Sequence, residues 1–114
     1  MKAEFLTPLV IRMLPESSPQ SWQLVEDLVY YSAIMNKTVT VPAGFITDLV
    51  SFEPLKGVGQ RPAVIHDYYC SKEEIPRLYA DRVFHEALHS VGVNALLADE
   101  MFLAVRAYAI AKGK

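Results

Sequence analysis

The sequence predicts an α+β fold in one domain of 114 residues, a small antiparallel sheet from the N-terminal half packed on about three C-terminal helices. Three observations lead there. Six of the seven prolines fall at or before Pro62, so turns crowd the first half. The clearest alternation, Thr38-Val39-Thr40-Val41, lies in that half and has the period of a strand with one buried face. Beyond Pro62 the apolar residues recur at helical spacing instead, as in Ala80, Phe84, Ala87, Leu88 and Val91.

Taken in order, Phe5 to Met13 is a β-rich run broken by Pro8, and "ESSPQS" is a turn. "WQLVEDLVYYS" reads as a strand, although Val25, Leu28 and Val29 would also suit a helix face. Asn36-Lys37 turns the chain into the Thr38–Val41 strand, and "ITDLVSFEPLKGVGQ" reads as a long irregular loop. Pro62 fits the first turn of a short helix, "PAVIHDYYC". A second helix starts at Pro76 and ends at Gly92, a residue suited to a left-handed terminus. Asn94 caps a third, which runs to about Lys112 and stops at Gly113. That last helix is apolar nearly all round, a pattern expected of a helix central in a core or offering a face to a partner.

Just over half the residues are hydrophobic and 21% are charged, which argues against a disordered chain. The net charge of −2, with 11 basic and 13 acidic residues spread along the chain, argues against a nucleic-acid partner. Glu4 and Arg12 interrupt the N-terminal apolar run, so neither a signal peptide nor a membrane span is expected and the product reads as soluble. The lone Cys70 has no partner for an internal disulfide and is expected as a small buried residue, not a nucleophile.

"HEALH", His85 to His89, has the spacing of a zinc metalloprotease helix. On a helical projection, however, the histidines fall away from the apolar stripe, beside Arg82 and Glu86. No third ligand is assigned, since Asp99 and Glu100 lie beyond Gly92. The expectation is two surface histidines flanking a solvated glutamate.

A different constellation carries more chemistry. Asp48 ends the best strand region, His66-Asp67 sits on the first helix, and Asp81 lies at the shoulder of the second helix's apolar stripe. A histidine among carboxylates can activate water, one neighbour fixing its tautomer. The same set could hold a divalent cation such as calcium or zinc. The structural alternative is that His66 and Asp67 tie the long loop to the helices.

"VPAGFITDLVS", "AVIHDYY", "ADRVFHEAL" and "MFLAVRAY" together resemble a family of small bacteriophage and prophage proteins, the domain of unknown function 1353. The resemblance spans Thr38 to Tyr108 and rests on Pro42, Gly44, Phe45, Thr47, Asp48, Ser51, His66, Asp67, Asp81 and Phe84. Two departures stand out: Phe52-Glu53 separates Ser51 from Pro54, and Cys70 replaces a usual aromatic. The resemblance implies a phage origin, hence the host cytoplasm or the phage particle as location. A looser likeness of arrangement, to secreted phospholipases A2, would make His66 the base, Asp67 a calcium ligand and Asp81 the residue that orients His66. The paired cysteines and glycine-rich calcium loop of those enzymes are missing here.

Two functions are therefore expected to compete. One is a hydrolase-like site centred on His66, Asp67, Asp81 and Asp48, with or without a metal. The other is a non-enzymatic virion, tail or host-interaction protein that meets phage or host proteins, or its own copies, through the apolar last helix. An open concave pocket at the four residues favours the first.

Overall fold

The structure, a computed structural model, describes residues 1–15, 20–48 and 59–113. Most of the long loop expected after Asp48 lies outside the described residues, as does Ser51. The element order is β1 (Glu4–Phe5), β2 (Ile11–Met13), β3 (Trp22–Leu24), β4 (Leu28–Ser32), β5 (Lys37–Val41), β6 (Ile46–Thr47), α1 (Gln60–Cys70), α2 (Arg77–Ser90) and α3 (Ala95–Ala111). The fold is α+β: two small antiparallel sheets, ordered β1-β4-β5 and β2-β3-β6, precede the three helices.

The β4–β5 hairpin pairs Leu28 with Val41 and Tyr30 with Val39, and all four side chains are buried on the core face. Thr38 and Thr40 are exposed, as the alternation predicts. Asn36 takes a positive φ of 51° in the connecting turn, a conformation its short polar side chain tolerates. The "WQLVEDLVYYS" run forms two strands on different sheets. Asp27 breaks it, accepting a hydrogen bond from the Ala43 amide at 2.7 Å. At Gly44, φ is +96°, which turns the chain back so that Phe45 and Leu24 pair and β6 runs beside β3. This places Thr47 and Asp48 next to the helices.

Helix α1 buries Pro62, Ala63, Val64, Ile65, His66 and Tyr69, and α2 buries Ala80, Asp81, Val83, Phe84, Ala87 and Leu88. Val64, Ile65 and Tyr69 join Leu24, Leu28, Tyr30, Val39 and Val41 in the core over the sheet. Ala63 instead joins Phe84, Leu88, Val93 and Ala98 between the helices. Each fully buried aliphatic side chain contributes about 1.5–3 kcal/mol. Helix α2 ends as expected: Gly92 has φ +84° and the Val93 amide returns to the Leu88 carbonyl at 3.1 Å. The Asn94 side chain caps α3, accepting from the Leu96 and Leu97 amides at 2.9 and 3.4 Å.

Helix α3 is not central. Only Ala98 and Ala109 are buried on it, while Leu96, Leu103, Tyr108 and Ile110 are exposed. Its apolar outer face has no covering element among the described residues. No helix of the described residues is long and apolar enough to cross a membrane.

Candidate functional site

Asp81 organises the site. It lies on the second turn of α2, has no solvent exposure, and receives three hydrogen bonds from cationic or ring N–H groups. His66 Nε2 on α1 donates to Oδ1 at 2.6 Å, and Arg77 Nε donates to the same oxygen at 3.0 Å. Arg106 Nη1, on α3, donates to Oδ2 at 2.7 Å. Burial alone would push the Asp81 carboxyl up. The hydrogen bonds from His66, Arg77 and Arg106 outweigh it and hold the carboxyl below its ordinary range.

The His66 ring is thereby fixed. It is 4% exposed and packs against Phe84 with ring centroids 4.8 Å apart. An ionised carboxylate can only accept, so Nε2 is the ring nitrogen that carries a proton toward Asp81. Cys70 Sγ lies 3.6 Å from that same Nε2. Cys70 is exposed, contrary to its expectation as a buried residue, because it closes the last turn of α1. Nε2 already serves Asp81, so the thiol and imidazole do not form a nucleophile–base pair.

One residue along α1, Asp67 accepts a hydrogen bond from the buried Thr47 hydroxyl at the end of β6. Burial raises the Asp67 carboxyl above its ordinary value. Thr47 and His66 oppose that shift, and the charge of neighbouring Asp48 adds to it.

Asp48, His66, Asp67, Cys70 and Arg77 form the polar wall of a cavity of about 440 Å³. Met101, Ala104, Val105 and Tyr108 of α3 form its apolar wall. Of the four expected residues, three therefore line one cavity, and Asp81 sits beneath them, holding His66. Arg77 and Arg106 were missing from the expectation. Arg77 is legible as a partner one turn before Asp81 on the same helix, and Arg106 as the isolated cation on an apolar helix.

Two donor sets among the described residues could hold a metal ion: His66, Cys70 and Asp81, and His85, His89 and Asp99. In the first, two guanidinium groups already neutralise Asp81, so a further cation is unfavourable. Asp48 and Asp67 supply the carboxylates of the cavity wall, the donor type that hard cations take.

The "HEALH" helix departs from expectation twice. Glu86 is not solvated: it accepts from Tyr30 Oη at 2.7 Å, Ser32 Oγ at 2.9 Å and the Ile34 amide at 2.8 Å. It anchors the β4–β5 turn to α2, because the sheet packs on that side of the helix. Asp99, although beyond Gly92, is carried back by the turn into α3, and His85 Nε2 donates to its Oδ1 at 2.8 Å.

The fold is α+β, with a buried His–Asp pair held between its helices at the wall of a cavity. The chain belongs to the family described as "Protein of unknown function (DUF1353)", which matches residues 22–105. The match begins upstream of the motifs that carry the resemblance and takes in β3 and β4. No curated protein and no solved structure matches the chain.

Proposed function

We propose that the protein is a small hydrolase whose base is His66. The observation that carries this reading is the 2.6 Å contact between His66 and the buried Asp81, at the wall of a cavity that Asp48 and Asp67 share. Asp81 holds the ring in one tautomer and stabilises the imidazolium, so its role is positioning. In this reading His66 takes a proton from water while the water oxygen bonds to the carbonyl carbon of an ester or amide. The proton then passes to the leaving group as the scissile bond breaks. Arg77, in the same wall, supplies positive charge for the developing oxyanion. The apolar wall from α3 favours a substrate with an aliphatic portion next to the carbonyl, such as an envelope component met by a phage. Asp48 and Asp67 together fit a calcium-type cation, which would polarise the carbonyl.

The test is hydrolysis of a panel of chromogenic acyl esters and amides, with and without calcium or zinc. The parent should turn over at least one class, and His66→Gln should lose at least about a hundredfold. No turnover above buffer, or equal turnover by His66→Gln, refutes the reading.

The exposed Leu96, Leu103 and Ile110 on α3 favour a second reading, a non-enzymatic virion, tail or host-interaction protein. These residues recur every seven positions, which aligns them in one stripe along the helix. Sedimentation equilibrium should then show self-association that Leu103→Glu abolishes.

A further inference from the structure

We infer that His85, His89 and Asp99 form a site for one zinc-type transition-metal ion that clamps α2 to α3. His85 and His89 lie one turn apart on α2, with ring centroids 4.7 Å apart and planes nearly perpendicular. Asp99 approaches from the second turn of α3, and one ligand atom from each of the three lies within 4.8 Å of the others. An ion about 2.0–2.2 Å from each donor needs donor separations of roughly 3.3–3.5 Å. Small side-chain rotations therefore close the set, the 2.8 Å His85–Asp99 hydrogen bond opening slightly as the ion replaces the proton.

Donor chemistry selects the ion. Two imidazole nitrogens and one carboxylate oxygen suit zinc, nickel or cobalt, whereas calcium and magnesium require oxygen-rich shells. The site is reachable, since His85 is half-buried and both His89 and Asp99 are exposed. The His85 ring is also held against Phe102 of α3, with centroids 5.0 Å apart. This limits the freedom lost on binding.

The motif that recruits these histidines does not bring protease chemistry with it. Its glutamate is committed to Tyr30, Ser32 and the Ile34 amide and is not available as a base. The ion would act as a brace. It would pin the N-terminal half of α3, the same helix that sends Arg106 to Asp81 and lines the cavity with Val105 and Tyr108. The site shares no residue with the cavity, so it stands whether or not the hydrolase reading does.

The experiment is calorimetric titration of the untagged full chain with zinc chloride, paired with thermal melts. The parent should bind close to one equivalent and melt higher with zinc, with no shift from calcium or magnesium. His89→Ala and Asp99→Asn should each fold and melt like the metal-free parent, because both positions are exposed, yet lose at least tenfold in affinity. Cys70→Ser should bind like the parent, which separates this site from the His66–Cys70–Asp81 set. Absence of saturable binding, or parent-like affinity in both His89→Ala and Asp99→Asn, overturns the inference.

Discussion

Replacing Asp81 by Asn tests the central feature of the site. The carboxylate is fully buried, and its partners are nearly so: the side chains of His66, Arg77 and Arg106 are 5%, 16% and 18% exposed. The amide keeps one acceptor oxygen but turns an NH2 group toward a donor, so at least one guanidinium loses its partner. Removing one member of such a buried charged network costs about 3–5 kcal/mol, against about 5–15 kcal/mol for the whole stability of a small domain. With a urea m-value of about 1–3 kcal/mol/M, the midpoint should fall by one to several molar. The pH dependence has a definite sign. Because the folded Asp81 carboxyl lies below its ordinary value, its contribution is complete above the unfolded value of about 3.9 and is lost as pH falls through the folded value. Parent stability should therefore decline from about pH 5 downward, and Asp81→Asn should lack that component. A loss under about 1 kcal/mol at pH 7, or matching acid profiles for parent and variant, would refute the assignment of Asp81 as the hub.

Three further perturbations follow from the same contacts. Glu86→Gln weakens the hydrogen bonds from Tyr30, Ser32 and the Ile34 amide. It should cost about 1.5–3 kcal/mol in urea unfolding while leaving zinc affinity at the parent level. Asp67→Asn should raise stability at pH 7, because a carboxyl held above its ordinary value is a liability once ionised. That gain should vanish near pH 3, where the parent's Asp67 is protonated, and urea midpoints at the two pH values check it. Asn94→Ala removes the α3 cap and should cost about 1 kcal/mol by the same assay.

How far the sequence was legible depends on whether a signal is local or comes from distant packing. The α2 and α3 termini were readable because Gly92, Asn94 and Gly113 do their work within a few residues. The β5 strand was readable because its alternation reports one buried face. Which helix is central was not. The apolar circumference of α3 suggested a core position or a face for a partner, yet only its Ala98 and Ala109 are buried, while α1 and α2 together supply the helical side of the core over the sheet. Glu86 shows the same limit. Its neighbours on the helix surface are polar, and only the tertiary arrival of Tyr30 and Ser32 makes it a structural acceptor. Asp48, His66, Asp67 and Asp81 were readable as a set by residue type, whereas their division into cavity wall and buried support required the packing of α1 on α2.

That packing also decides which experiments separate the two functional readings. His66 is buried, bonded to Asp81 and stacked on Phe84, so its removal destabilises the fold whether it is a catalyst or a structural tie. Stability alone therefore does not discriminate. The two faces of α3 do. Its inner side supplies Val105 to the cavity and Arg106 to Asp81, while Leu103 is 64% exposed and absent from the cavity wall. If the outer stripe is the functional surface, Leu103→Glu should change association and leave the Asp81 network and its acid profile intact. If the cavity is the functional element, Leu103→Glu should retain full turnover while His66→Gln loses it. Loss of turnover in Leu103→Glu together with dissociation would join the two readings, with self-association holding α3 in the position the cavity needs.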